Sequence, residues 1–292
     1  LNMERMLQIV NETIPKDQIH SVENNSMGWD NDILIINEEM VFRFPKTRKI
    51  ASKVVDEVVL LKQLAAKKPL LEFPQYEPIH MDGELAGVKY PYLKGKPLGE
   101  SSPSAAQSAE LLGDFLTKLH SIRKSDLPNL QTNHTEEYWN ELFLSVQTFV
   151  FPHLIPQHRT KVQDFFEEYL IDYEKESINL GVIHGDLTTA NILYKPEAGV
   201  VSGIIDFTDA QWGDPAFDFA GLYWSYGPCV TKEVLSHYRE EGKEAIFKRV
   251  QDFYGLQPIF HQLVYAVKES RHVNWEQTLD RFLYLYELRG RY

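Results

Sequence analysis

Apolar residues recur at helical spacing over 3–14 (Met6, Leu7, Val10, Ile14), and Pro15 ends the run, so the chain is expected to open on a helix. The period then changes. Residues 33–36 and 40–44 read as two strands joined by the turn Asn37-Glu38-Glu39, with Pro45 stopping the second. Val54, Val58, Leu61 and Leu64 fall on one side of a helix predicted over 53–66, and 85–92 returns to strand. The first part is therefore a small sheet with one long helix. A Gly-, Pro- and Ser-rich stretch over 94–104 marks the expected boundary. Beyond it the pattern is mostly helical, with helices predicted over 105–122, 136–149, 158–174, 218–226, 232–238, 243–254 and 276–288.

One segment breaks this helical pattern. The apolar run Gly181-Val182-Ile183 leads into His184-Gly185-Asp186-Leu187-Thr188-Thr189-Ala190-Asn191, and Ile192-Leu193-Tyr194 leads out. Lys195-Pro196-Glu197-Ala198-Gly199 reads as a turn, because Pro presets φ and Gly supplies positive φ. The β-branched stretch 200–205 is the return strand, so a hairpin folds Asp206 back toward Asp186 and Asn191. A carboxylate, an amide five positions on and a second carboxylate twenty positions on form the grammar of a phosphoryl-transfer loop. Asp186 would accept a hydroxyl proton. Asn191 and Asp206 offer the hard oxygens that Mg²⁺ requires.

Other candidates are weaker alone. Arg43 precedes Pro45 on its strand, with Lys46 three residues on and Glu57 on the following helix. Arg43 either clamps phosphate oxygens and pairs with Glu57, or is a surface Arg beside a solvated Glu. The segment 25–32, with Ser26, is either a phosphate-covering loop or an ordinary turn. Tyr90, Pro91 and Leu93 stand where a purine would meet backbone: Pro91 gives only a carbonyl and Leu93 can give an N–H, although a plain strand end reads the same way. Asp214-Pro215 is an N-cap and first-turn signature, and Asp218 lies in the first turn that follows; both are expected to brace the loop. His184 is expected to be a structural hydrogen-bonding residue. The ten His show no metal-ligand spacing, and no G-x-S-x-G elbow supports a hydrolase.

Composition narrows the classes. The 292 residues are 43% hydrophobic and 25% charged, ordinary for a globular chain. The single Cys229 excludes an internal disulfide and a Cys-based zinc site. No run of eighteen apolar residues or signal-peptide core is present, so a cytoplasmic protein without a membrane partner is expected. The net charge of −12 argues against a nucleic-acid partner. Residues 101–206 carry 15 acidic against 7 basic side chains, which either draw in a cationic substrate or form a solvated surface.

Taken in order, Gly28-Trp29-Asp30-Asn31, Phe42-Arg43-Phe44-Pro45, His184-Gly185-Asp186 to Asn191, Ile205-Asp206-Phe207 and Asp214-Pro215 to Asp218 resemble the aminoglycoside phosphotransferase family, which includes macrolide phosphotransferases and relatives of choline kinase. The resemblance covers nearly the whole chain. It implies an α+β, protein-kinase-like bilobal fold: a small β-rich nucleotide-binding lobe over 1–93 and a larger, mostly helical catalytic and substrate-binding lobe over 94–292. It also implies Mg²⁺-dependent transfer of the γ-phosphoryl of ATP or GTP to a small-molecule hydroxyl, with Asp186 as base and Asn191 and Asp206 as metal ligands. A monomer or weak dimer is expected. Two departures stand out. Arg43 replaces the Lys of many aminoglycoside kinases, as macrolide phosphotransferases often do. The segment after Phe219, which includes Tyr223 and Trp224, is aromatic and neutral where several aminoglycoside kinases are acidic. It leaves a more apolar or sugar-like acceptor open, while Glu269 and Glu276 could still bind amines. A nucleotide-binding pseudokinase is the alternative of another class, and Thr188 together with the missing A-P-E segment disfavours a protein kinase.

Overall fold

The computed structural model describes residues 2–25, 30–99, 105–173 and 178–291. Helix α1 (Met3–Thr13) is capped by Asn2, whose side chain accepts the Arg5 N–H at 2.9 Å. Strands β1 (Val22–Asn25), β2 (Asn31–Ile36) and β3 (Met40–Pro45) follow, then helix α2 (Arg48–Lys67), β4 (Glu77–Met81) and β5 (Glu84–Pro91). The five strands form one antiparallel sheet in the order β1-β2-β3-β5-β4.

Strand alternation decides which chemistry this sheet exposes. Leu34, Ile36, Phe42 and Phe44 point to one face and pack on Met6, Ile9 and Val10 of α1. Arg43, between two of these phenylalanines, necessarily points to the other face. Helix α2 lies there, its N-terminus capped by Thr47 on Ile50 N at 3.2 Å. Its buried residues Ile50, Val54, Leu61 and Leu64 share a cluster with Val88 of β5. That same cluster runs on without a break into the helical part, so the sheet and the helices share a core.

A two-residue strand β6 (Lys96–Pro97) leads to α3 (Ala105–His120), α4 (Glu136–Phe149) and α5 (Pro156–Tyr173). Short strands β7 (Gly181–Ile183), β8 (Ile192–Lys195), β9 (Val200–Ile204) and β10 (Gln211–Gly213) come next. β8 and β9 are the expected hairpin, with Ile192 opposite Ile204 and β6 on the β8 edge. β7 does not join them; it pairs with β10, Ile183 opposite Gln211. The loop between β7 and β8 is thus held from two separate ribbons. Glu72 ties the first half of the chain to β9, donating to Ser202 O at 3.0 Å and accepting from Ile204 N at 2.9 Å.

The rest is helical: a 3₁₀ turn over Pro215–Phe219, α6 (Ala220–Tyr226), α7 (Pro228–His237), α8 (Lys243–Arg249), a π-helical turn over Val250–Tyr254, α9 (Pro258–Lys268) and α10 (Trp275–Glu287). The single helix expected over 243–254 is therefore two segments, the second wound wider, with Gly255 N bonded to Val250 O at 2.7 Å. Aromatic side chains fill this core: Tyr169 stacks on Phe253 at 3.5 Å between centroids, and Trp139 meets Phe253 edge-on at 5.1 Å. No helix among the described residues is long and apolar enough to cross a membrane.

Candidate active site

The loop from His184 to Asn191 is fastened at its start by Asp218. This carboxylate is fully buried and accepts the backbone N–H of His184 at 2.8 Å and of Gly185 at 3.0 Å. His120, at the end of α3, holds the same Oδ2 through Nε2 at 3.0 Å, and its Nδ1 meets the Tyr238 hydroxyl at 2.9 Å. Burial alone would raise the Asp218 pKa; the hydrogen bond and charge of His120, with the His184 side, hold it below the usual carboxylate value. Asp214 caps the 3₁₀ turn that carries Asp218, accepting Ala216 N at 3.0 Å, and is gripped by Arg249 of α8 at 2.6 and 2.9 Å.

His184 is buried and lies inside the loop. Nε2 faces Ile205 O at 3.0 Å, so it must carry the proton, and Nδ1 accepts the Asp186 N–H at 3.3 Å. Burial keeps its pKa below the ordinary value. A neutral imidazole therefore staples the loop to the return strand. Gly185 sits at φ +81°, and a Cβ there would lie 2.1 Å from Asp209 O, so only glycine lets these two backbones touch.

Asp186 and Asn191 are in contact. Asn191 Nδ2 donates to Asp186 O and to Asp186 Oδ2, each at 2.8 Å. Asn191 O accepts Ile205 N at 3.0 Å, which sets Asp206 directly beside the loop, in a left-handed backbone conformation at φ +65°. The Asp186 carboxyl is pushed up to about 6, first by burial and then by the like charge of Asp209, against the Asn191 hydrogen bond; Asp206 and Asp218 add to the rise.

On the sheet side, Arg43 and Glu57 form a buried ion pair at 2.8 Å, each side chain 4% exposed. Nη1 of Arg43 also reaches the Tyr76 hydroxyl, and Nη2 reaches Thr208 Oγ1 at 2.6 Å. Thr208 in turn donates to Asp206 Oδ1 at 2.6 Å. The ion pair of the sheet is thereby wired to the carboxylate of the return strand. Burial would lower the Arg43 pKa, but Tyr76 and Glu57 beside it hold it above the ordinary value. Burial also pushes Tyr90 up to about 12; its ring lies 5.0 Å from that of Tyr76.

Other expected residues fall differently. Lys46 is outside this cluster, 3.6 Å from Asp32 Oδ1. Pro91 ends β5 opposite Met40, and Leu93 stands beside Gly203 of β9. Ser26 lies outside the described residues. Tyr223 is a correction. Expected at the acceptor, it is fully buried, and its ring covers Gly255 so closely that a Cβ there would be 2.4 Å away. It is a core residue. Trp224, its neighbour, is half-buried, its carbonyl taking Arg281 Nε at 3.0 Å. Glu269 is exposed at the end of α9, and Glu276 lies on α10 with its side chain outside the described part.

Sequence reasoning missed several members of the site. His120 and Tyr76 have no local signature, since their partners are distant in sequence. Asp209 follows Asp206 by three residues, and Lys53 approaches it at 3.9 Å. Thr208 did carry a signal, because it stands where the kinase D-F-G signature has glycine. Near Asp209, Tyr138 pairs its hydroxyl with His261 at 3.4 Å, and the His134 ring lies 4.9 Å from that of Tyr138. Burial drops both histidines to about 4, so this aromatic group is neutral at pH 7.

The donor set fits a metal of one kind. Among the described residues no group of three or more His, Cys, Asp or Glu side chains is arranged to hold an ion. An amide and a carboxylate oxygen, such as those of Asn191 and Asp206, would hold a hard cation only with further oxygens from water or a bound polyphosphate, which is how Mg²⁺ is usually held.

The chain is similar to known proteins over most of its length. Viomycin phosphotransferase of Streptomyces vinaceus is 25% identical over 255 residues, covering 81% of this chain and 84% of its own. The GDP complex of wild-type aminoglycoside 2'-phosphotransferase-IIIa superposes with a TM-score of 0.76 at 25% identity, over 98% of this chain and 99% of that one. A macrolide 2'-phosphotransferase from Brachybacterium faecium shares the fold, with a TM-score of 0.64 at 17% identity, over 94% and 97%. The fold is protein-kinase-like, β-rich at the N-terminus and helical beyond. The model of the phosphotransferase enzyme family matches residues 21–252, and the chain belongs to that family.

Proposed function

We propose that this phosphotransferase moves the γ-phosphoryl of ATP or GTP onto a hydroxyl of an aminoglycoside-like antibiotic. The observation that carries the reading is the contact of Asn191 Nδ2 with Asp186 Oδ2 at 2.8 Å, beside Asp206. That bond fixes one oxygen of Asp186 and leaves the other to orient an acceptor hydroxyl and take its proton. A carboxyl poised near 6 is ionised at pH 7 yet basic enough to act as general base. Asn191 and Asp206 would hold Mg²⁺, which neutralises developing charge on the phosphate oxygens. Arg43, fixed by Glu57, would face the nucleotide phosphates, and Tyr90 to Leu93 would border its base. Lobes over 1–93 and 94–292 would close on the nucleotide between them. His184, Asp214 and Asp218 then act by positioning the loop.

Asp209, close enough to raise the Asp186 pKa, favours an acceptor bearing a cation near the reacting hydroxyl. A macrolide or other amino sugar is the second reading, favoured by the neutral Trp224 and the Tyr138, His134 and His261 group. Release of ADP or GDP by purified protein with Mg²⁺ tests both, across aminoglycosides, macrolides, choline and viomycin, the last because a relative is named for it. Saturable stimulation by one class identifies the acceptor. Nucleotide binding without stimulation by any acceptor would favour a pseudokinase module instead. Asp186→Ala is expected to abolish turnover and leave nucleotide binding largely intact.

A further inference from the structure

A guanidinium has five N–H donors. In Arg43 every one of them is engaged with protein. The Asn31 amide oxygen, in the orientation that satisfies both ends of that amide, accepts Nε at 3.0 Å and one Nη2 hydrogen at 2.9 Å. Nη1 donates to Glu57 Oε2 at 2.8 Å and to the Tyr76 hydroxyl. The remaining Nη2 hydrogen goes chiefly to Thr208 Oγ1 at 2.6 Å, with Glu57 Oε1 a longer second acceptor at 3.4 Å. With all five donors engaged, a nucleotide phosphate oxygen that binds Arg43 must displace a partner.

The four partners differ in what their loss would leave behind. Without Arg43, Glu57 would be a buried, uncompensated charge. The buried Tyr76 hydroxyl is tied to Glu57 as well, at 3.3 Å. Asn31, 7% exposed, holds two of the donors through one oxygen. Thr208 is neutral, makes a single contact with Arg43, is not buried, and already directs its own proton to Asp206 Oδ1 at 2.6 Å. Turning its hydroxyl away leaves no buried charge unpaired. It also stands at the position where the kinase signature has glycine and hence no side chain.

We propose that Thr208 Oγ1 is a stand-in for a nucleotide phosphate oxygen. It occupies the Arg43 donor that faces the nucleotide, and nucleotide binding exchanges it. Thr208 thereby keeps Arg43 and Asp206 in register while the site is empty, and it weakens nucleotide binding by competing for that donor. This rests on the reading that the nucleotide phosphates lie against Arg43.

The test is calorimetric titration with ADP and GDP, without Mg²⁺, on wild type, Thr208→Val and Thr208→Ser. Valine keeps the branched shape and removes the acceptor; serine keeps the hydroxyl. The expected result is a nucleotide Kd about tenfold lower in Thr208→Val, the scale of one charge-assisted hydrogen bond no longer displaced, with Thr208→Ser at the wild-type value. A merely structural role for Thr208 would leave nucleotide binding unchanged or weaken it, and could not tighten it. An unchanged or higher Kd in Thr208→Val, with wild-type circular dichroism, overturns the proposal while the nucleotide site stands. If Thr208→Val does not fold, Thr208→Gly removes the same acceptor and is held to the same outcome. Absence of any nucleotide binding by wild type would overturn the nucleotide site itself and the proposal with it.

Discussion

Asp218 Oδ2 takes the backbone N–H of His184 at 2.8 Å across 34 positions of sequence, at the start of the loop that carries Asp186. The carboxylate also receives Gly185 N and His120 Nε2, so three donors converge on one fully buried group.

Asp218→Ala strands all three. A buried charged network broken on one side costs about 3–5 kcal/mol, and the variant is expected to lose that much in urea unfolding. Asp218→Asn can still accept through its oxygen but turns an NH₂ toward donors. It is expected to lose about 1–3 kcal/mol and to turn over roughly a hundredfold more slowly, because the loop carrying Asp186 shifts. Wild-type turnover in Asp218→Asn would remove Asp218 from the positioning of the loop.

Arg43 and Glu57 are buried together, which makes each costly without the other. Glu57→Ala is expected to destabilise by about 3–5 kcal/mol, since a guanidinium is left without its counter-charge. The double variant Arg43→Met with Glu57→Leu removes both charges and fills the space. It is expected to be more stable than Glu57→Ala alone, although its nucleotide binding should be lost. Equilibrium denaturation of Arg43→Met, Glu57→Leu and the double variant measures the coupling; strict additivity would show that the pair does not interact.

Asp186 gives a pH-dependent prediction for the metal-free protein. Its folded pKa, about 6, lies above the unfolded value of 3.8. The proton is therefore held more tightly in the folded state; its contribution to stability is complete below pH 3.8 and is lost as pH rises through about 6. Asparagine never ionises and escapes that loss. Asp186→Asn should match wild type near pH 3.8 and be more stable above pH 6, by about 1–2 kcal/mol after allowing for solvent screening of a partly exposed carboxyl. Thermal unfolding at a series of pH values in chelator checks the sign: a difference that shrinks toward high pH would contradict the burial of this group.

What the sequence disclosed and what it hid follow from distance along the chain. Asp186 and Asn191 were legible because their contact is made within one loop, and the hairpin that returns Asp206 is written in its turn residues and β-branched strand. His120 was not, because its bond to Asp218 spans 98 positions and leaves no spacing to detect. β1 carries no apolar alternation, since all four of its residues are exposed, and β4 is half-exposed and contains Pro78. α9 has no side-chain cap, and only Pro258 marks its start. Tyr223 reads as an acceptor residue because a seven-residue helix flanked by aromatics has no clear inner face; its burial is decided by Gly255, 32 positions away, whose missing side chain lets the ring in.

Gly221 presents the same kind of close approach, here against the loop that carries Asp186. It lies in α6, and a Cβ built on it would sit 2.3 Å from Leu187 O and 3.0 Å from the Thr188 Cα. Both neighbours are backbone, so neither can rotate aside; α6 or the loop must move. Gly221→Ala gains helix propensity, worth at most about 1 kcal/mol, and loses more to overpacking, about 1–3 kcal/mol. The displacement falls one residue from Asp186, where a shift on the order of 1 Å costs roughly a hundredfold in turnover. Nucleotide Kd should stay within about twofold, because the contact is with Leu187 and Thr188 and shares no partner with the Arg43–Glu57 pair. Gly199→Ala is the control. It sits at φ +69° in the hairpin turn with nothing within 4 Å, so it should cost about 1 kcal/mol of backbone strain and leave turnover unchanged. Equal turnover in the two variants would mean that α6 does not set the position of Asp186.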